Sequence, residues 1–190
     1  MKKVNYLFLL FAVIFPAFIL FISLHSASKS ELSGNTNLVS GKFYVSKEIL
    51  PDHSLYPLLM AVDRLRLEMS DSEKRVYLLV SYGNRRLFYS KKLLEKGNQP
   101  LALTTLSKAT KYINQALMEN IVLLEKSNVN KKQEHQILAF FVLENFEKHV
   151  SFIKDHKDQF SDEEKAVVDA LSLESFTLAE KLRRLANQSN

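Results

Sequence analysis

The chain has 190 residues and no cysteine, and it contains only 4 glycines and 4 prolines. The absence of cysteine excludes disulfide scaffolds, thiolate nucleophiles and cysteine-ligated zinc, while the small number of glycines and prolines is typical of long helices. The net charge is +5, but Lys2 and Lys3 precede a hydrophobic segment and leave only +3 for the rest of the chain. We therefore predict no nucleic-acid partner, because phosphate neutralisation dominates the affinity of nucleic-acid binders.

The first 24 residues predict a contact with a membrane through residues 4–24. Residues 6–24 form an uncharged apolar run, YLFLLFAVIFPAFILFISL. A helix that rises about 1.5 Å per residue would extend this run to roughly 28 Å, close to the hydrocarbon thickness of a bilayer. Two interpretations stay open. A retained anchor fits the length of the run, whereas a cleaved signal peptide would end near Ser28, after small residues.

Charges beside the apolar run predict the localisation. Lys2 and Lys3 favour a cytoplasmic N-terminus, and Lys29 at the other end of the run makes this bias small. We expect a single-pass protein of the cell membrane with its body outside the cytoplasm. The alternatives are secretion after cleavage and a reversed anchor with a cytoplasmic body. Residues 25–48 are rich in Ser, Asn, Gly and Thr, and they are interpreted as a flexible linker.

The body, residues 49–190, is predicted to be all-α. Five stretches repeat apolar residues at helical spacing, the second from about Glu73 to Lys96 and the fourth from about Lys131 to Asp158. Gly97 is a typical C-terminal stop for the second helix. Because the connections are short, consecutive helices should be antiparallel neighbours, and the sequence predicts a bundle of about five helices.

Helix starts and close contacts also leave local signals. Ser70 with Glu73, ahead of the second helix, and Ser161 with Glu164, ahead of the fifth, have the spacing of a capping box. Gly83 lies on the apolar side of the second helix, where it costs about 1 kcal/mol relative to alanine. We expect it to permit a close contact between two helices.

Helical periodicity assigns a core-facing side to each helix. The residues so assigned on the first and fourth helices are Leu58, Val62, Leu65 and Met69, then Ile137, Phe140, Phe141, Phe146, Val150 and Ile153. The third helix repeats its core residues in steps of three and four, with polar interruptions at Thr110 and Asn120. Beside that seam runs an edge of small residues, which are Ala102, Ala109 and Ala116.

The second helix has an unusual charge. Between Glu73 and Lys96 it carries seven basic residues and two acidic ones. The predicted site for an anionic partner, called the basic stripe below, consists of Lys74, Arg85, Tyr89, Lys92 and Lys96. These residues share the side opposite the Val/Leu core face, where they would suit anionic lipid headgroups or an acidic wall polymer. The alternative is an ordinary solvated helix face.

A family resemblance rests on the segment that opens the body. Residues 50–58 read LPDHSLYPL, and residues 63–67 read DRLRL. This pattern resembles a bacterial family of uncharacterised exported helical domains, and residues 85–87 match the family's second helix loosely. The resemblance covers about residues 49–125, although Leu59 stands where the family has lysine. It implies an exported helical body, and it implies no activity and no functional residues.

The sequence contains no recognisable catalytic constellation. No histidine occurs in a Glu-x-x-His or His-Glu-x-x-His pattern, so we expect surface histidines rather than metal ligands. Ser151 and Lys154 match Ser-x-x-Lys, but the other motifs of penicillin-recognising enzymes are missing. We predict no catalytic residue, no cofactor and no metal.

These observations predict a non-enzymatic cell-envelope protein, a membrane-tethered helical bundle that binds or scaffolds a protein partner. The alternative is an exported binder of a small ligand, an anionic polymer or a lipid headgroup, in a cleft between helices or on the basic stripe. A continuous exposed apolar or heptad seam would favour the protein partner. A large pocket with converging polar groups would favour the ligand.

Overall fold

The computed structural model describes residues 49–188, and this part of the chain is all-α, without strands. The helices are α1 (Tyr56–Glu68), α2 (Ser72–Glu95), α3 (Gln99–Glu125), α4 (Val129–His156) and α5 (Asp162–Asn187), with a turn of 3-10 helix at Lys157–Gln159. The predicted membrane segment and linker, residues 1–48, lie outside the described residues. None of the helices in the described part is long and apolar enough to cross a membrane.

Two apolar clusters at opposite ends of the bundle show the direction of each helix. One cluster joins the start of α2 to the end of α3, the start of α4 and the end of α5, with Leu79, Leu117, Val142 and Leu182 among its members. The other joins the opposite ends of the same helices, with Leu93, Leu106, Ile153 and Val168 among its members. Helices α2 to α5 therefore run up and down in turn, as the short connections predicted.

Helix α1 packs mainly against α2. Near its start, Tyr56 and Leu59 form a small cluster with Tyr89 near the end of α2. Near its end, Leu67 joins the cluster that contains the start of α2. Helix α1 thus runs antiparallel to α2, on the outside of the four-helix bundle that α2 to α5 form.

The close contact predicted at Gly83 is confirmed. A Cβ atom at this position would lie 2.9 Å from Cδ1 of Ile113 on α3. The small-residue edge of α3 is fully buried as well, at Ala102, Ala109 and Ala116. Side chains this small let helix backbones approach closely, which explains why α2 and α3 make the most extensive contact in the bundle.

The predicted helix signals have mixed outcomes. Ser161 and Glu164 form the expected capping box, and Gly97 ends α2 with a φ of 74°, a conformation that costs glycine little. The capping box predicted at Ser70 is wrong. The Ser70 hydroxyl donates to the Arg66 carbonyl of the preceding helix. Asp71 caps α2 instead, by accepting a hydrogen bond from the Lys74 backbone N–H at 2.8 Å.

Two predicted core faces also need correction. On α1, the residues assigned to the core are exposed, and the buried ones are Tyr56, Leu59, Asp63 and Leu67. On α4, Ile137 and Phe140 are exposed, while Leu138, Ala139 and Val142 are buried. Residues 137–142 are apolar on every side of the helix, so periodicity alone does not identify the face that meets α3 and α5.

Candidate functional site

The outer part of the basic stripe is engaged in ion pairs. Lys92 Nζ lies 2.7 Å from Glu95 on the same helix, and Lys96 Nζ lies 3.0 Å from Asp52, which precedes α1. The two lysines lower the pKa of the carboxyls that they contact. Lys74 at the start of α2 is exposed. The stripe therefore presents less unneutralised charge than its sequence indicated, although exposed pairs of this kind contribute little stability.

The inner part of the basic stripe lies beneath α1. Tyr89 is only 1% exposed, and its ring meets that of Tyr56 edge to face with centroids 6.3 Å apart. Arg85 Nη2 donates to a carboxylate oxygen of Asp63 on α1. The side of α2 that the sequence assigned to solvent is thus the side on which α1 docks.

A second buried arginine extends this contact towards α3. The Arg86 guanidinium lies over the Tyr112 ring, 4.1 Å from its centroid, and Nη1 donates to the Tyr82 carbonyl at 3.2 Å. Arg85 lies 4.9 Å from the centroid of the Tyr82 ring. Desolvated cations over aromatic faces gain about 2 kcal/mol. We call Asp63, Arg85 and Arg86 the α1–α2 ion cluster.

Asp63 is the carboxylate of this cluster, and it is 1% exposed. Burial raises the pKa of its carboxyl, and the positive charges of Arg85 and Arg86 oppose that rise. A buried carboxylate needs such partners, because removing them would leave an uncompensated charge. A raised pKa is also a property of catalytic acids, but α1 shields this carboxylate from solvent. Its arrangement fixes α1 to α2.

The sequence offered one signal for Asp63 that periodicity analysis missed. Leu59, Asp63 and Leu67 follow one another in steps of four, so an acidic residue stands within an apolar row. Helix α1 consequently has two apolar faces, and one of them contains a charge. The face without a charge was assigned to the core, whereas the structure buries the face whose carboxylate meets the arginines of α2.

The other face of α1 is open. Leu55, Leu58, Val62, Leu65 and Met69 are between 39% and 78% exposed. They follow one another in alternating steps of three and four residues, the spacing of a seam that packs against another helix. We call these five residues the outer seam. Contiguous exposed apolar surface of this kind marks interaction sites.

Two histidines lie in the bundle rather than on its surface, contrary to the sequence expectation. His149 on α4 faces α3, with Nε2 2.9 Å from Oγ1 of Thr110, and burial lowers its pKa to about 4. His135 Nε2 lies 3.1 Å from a carboxylate oxygen of Glu73 on α2. Among residues 49–188, no group of three histidine, aspartate or glutamate side chains is placed to hold a metal ion.

The model of a protein family described as a domain of unknown function, DUF5667, matches residues 48–181. The chain belongs to this family. The match spans all three residues of the α1–α2 ion cluster, the outer seam and most of the bundle. The prediction of an uncharacterised domain family is confirmed. No curated protein and no solved structure matches the chain.

Proposed function

We propose that this DUF5667 protein is a non-enzymatic, membrane-tethered helical bundle of the cell envelope that binds a protein partner through the outer seam of α1. The observation that carries the proposal is the continuous exposed seam itself. Its five apolar residues lie along one line of a helix that already buries its opposite face. A partner helix with a complementary apolar seam would cover this line by packing side chains between those of α1.

The attachment of α1 supports this function. Asp63 and the two arginines fix the inner face of the helix, so the outer seam is presented on a helix that is already folded. A partner would then not have to order α1 when it binds. Binding to a preorganised surface is stronger, because less conformational entropy is lost on association.

The N-terminal sequence supports a tether. In the proposed arrangement residues 4–24 cross the membrane, and the body lies outside the cytoplasm, as Lys2 and Lys3 favour. A flexible linker over residues 25–48 would have a root-mean-square span of roughly 27 Å. The outer seam would then work close to the membrane surface, within reach of other membrane proteins. Cleavage near Ser28 would instead release the same body into the medium, and the mass of the mature chain distinguishes the two.

Binding of an anionic partner to the basic stripe is less favoured. Arg85 is used to hold α1, and Lys92 and Lys96 have carboxylate partners of their own. An anion would have to displace these carboxylates, so the gain from each new contact would be partly cancelled.

The test compares two leucines that are exposed on different helices. The full chain is extracted from native membranes in a mild detergent as wild type, Leu65→Asp or Leu173→Asp, and the complex is quantified by native electrophoresis and mass spectrometry. Leu173 is 72% exposed on α5 and is not a residue of the outer seam. We expect wild type and Leu173→Asp to carry a protein in fixed stoichiometry, and Leu65→Asp to lose it by about tenfold or more, since a charge would enter an apolar interface.

The proposal fails if Leu65→Asp keeps the complex. It also fails if wild type carries no protein at any salt concentration. Thermal unfolding of both variants provides the folding control, because surface substitutions of this kind usually change stability by less than about 0.5 kcal/mol.

A further inference from the structure

Three basic side chains from three different helices line a single cavity. Arg64 on α1, Arg75 on α2 and Lys111 on α3 surround a space of about 270 Å³. The remaining lining residues are Leu67, Glu68, Tyr112 and Gln115. We call this space the α1–α3 cavity. None of its residues belongs to the outer seam or to the basic stripe.

The basic residues of the cavity differ in how they are held. Arg75 is fixed, because its Nε donates to Glu119 at 2.9 Å and its Nη1 donates to the Leu67 carbonyl at 3.1 Å. Arg64 and Lys111 form no hydrogen bond and no ion pair with any of residues 49–188. Two unneutralised cations therefore lie beside a third whose position is set by the fold.

The charge on the cavity wall favours an anion. Arg64 and Lys111 keep their positive charges, whereas Glu119 neutralises Arg75 and Glu68 adds one negative charge, which leaves a net charge of one positive unit at the cavity. Like charges on one cavity wall repel each other, and an anion bound between them relieves that repulsion. A phosphate monoester carries a charge of about −1.5 to −2 near neutral pH, and the phosphodiester of a lipid headgroup carries about −1, so either one supplies the negative charge that the wall lacks.

The donors of the cavity also suit phosphate oxygens. Arginine presents several N–H groups in a planar fork, and lysine acts as a point charge, so the two together serve a group with several oxygens. Tyr112 also lines the cavity, and Arg86 holds it in place by lying over its ring and by donating from Nη2 to its hydroxyl at 3.4 Å. The volume accommodates one phosphate group together with ordered water.

We propose that the α1–α3 cavity binds a phosphate group, either on a soluble ligand or on a lipid headgroup. This site is additional to the protein-binding seam and does not depend on it. Because Arg64 comes from α1 while Arg75 and Lys111 come from the bundle, a bound phosphate group also ties α1 to α2 and α3.

The test uses the full chain in maltoside micelles, which contain no phosphate. Inorganic phosphate is titrated by calorimetry at constant ionic strength, so that general screening does not change. In a second arm, phosphatidylglycerol is added to the micelles, and bound lipid is counted by native mass spectrometry. Saturable binding of inorganic phosphate identifies a soluble ligand, and binding of the lipid alone identifies a headgroup. Binding in neither arm overturns the proposal.

Three substitutions locate the site. Lys111→Gln should weaken binding by about tenfold, since it removes a charge-assisted contact. Lys108→Gln is the matched control, because Lys108 is exposed on the same helix and does not line the cavity. Glu68→Gln should tighten binding, and a gain of affinity is not an effect of misfolding. Equal losses in Lys108→Gln and Lys111→Gln, or no gain in Glu68→Gln, would overturn the assignment to this cavity.

Discussion

Helix α1 and the four-helix bundle of α2 to α5 are held together by different physical means. The bundle is filled with apolar side chains that have no exposed surface, such as Leu79, Ile113 and Leu117. Helix α1 is attached through a buried carboxylate, two arginines and tyrosine rings, and it shows solvent a second apolar face. The four-helix bundle is therefore a stable platform, and α1 is the helix that we propose also packs against a partner.

The two kinds of contact lose stability in different ways when a side chain is replaced. An apolar core loses stability in proportion to the atoms removed and the cavity left behind. An ion cluster loses stability when the whole side chain of one partner is removed, since the remaining polar groups stay buried without that partner. Substitutions in α1 and in the bundle should therefore differ in the size and in the location of their effects.

The largest effect is expected in the bundle core. Leu117→Ala should lower the free energy of unfolding by about 3 kcal/mol, because Leu117 is fully buried between α2, α4 and α5. Leu65→Ala on the outer seam should change it by less than about 0.5 kcal/mol. Urea unfolding of the full chain measures both. Equal losses in the two variants would show that α1 is as deeply buried as the bundle core.

Acid should weaken the bundle through His149. The folded pKa lies at about 4, below the ordinary value of 6.5, so the unfolded chain binds the proton more readily. The free energy of unfolding is therefore highest above pH 6.5 and falls, by up to about 3 kcal/mol, as the pH approaches 4. In His149→Leu the same pH range should give a smaller slope, and an unchanged slope would contradict the assignment.

Asp63 should respond to acid in the opposite sense. Because its pKa is raised in the folded state, its ionisation costs stability, and protonation does not destabilise the fold through this group. Removing the Asp63 side chain should have a different effect from protonating it. Asp63→Ala should cost about 2 kcal/mol, below the range for fully buried pairs because Arg85 is partly exposed.

The loss in Asp63→Ala should appear first in α1. Hydrogen exchange should accelerate at the backbone amides of residues 59–68 and stay nearly unchanged in α3. Asp169→Ala is the matched control, because Asp169 on α5 forms an exposed ion pair with Lys157 in the turn of 3-10 helix. Equal acceleration in α1 and α3 would mean that α1 and the bundle open as one unit.

The smallest effect concerns a polar residue in the bundle core. Asn120 has no exposed surface, and neither atom of its amide has a hydrogen-bond partner in the described part of the chain. Asn120→Leu should raise the free energy of unfolding by about 1 kcal/mol, because it removes an unsatisfied polar group. A lower free energy of unfolding in the variant would contradict this expectation. It would indicate that the Asn120 amide forms a stabilising contact, as the Asn114 amide does by accepting a hydrogen bond from the Ser175 hydroxyl.

The bundle was predictable from the sequence because its signals are local. Gly97, the capping box at Ser161 and the alanine edge of α3 each act through the helix on which they occur. Gly83 also identified a close contact, although its partner Ile113 was not predicted. The order of the helices followed from the short connections.

The attachment of α1 was not predictable in the same way. Both of its faces are apolar, and only the position of a second helix decides which is buried. In the sequence, Asp63 belongs to the DRLRL motif, and Arg85 belongs to the basic stripe, 22 residues later. Their pairing depends on how α1 folds back along α2. The residue pattern of a single helix carries no information about that packing.

Site-specific photo-crosslinking shows whether the outer seam of α1 is a protein-binding surface. A photoreactive residue is placed at Leu65 or at Leu173 in the full chain, and native membranes are irradiated. We predict a discrete protein adduct from position 65, mapped to an apolar helix face of the partner, and none from position 173. Adducts of equal yield from both positions, or crosslinks to lipid alone from position 65, would contradict the proposal that the outer seam binds a protein.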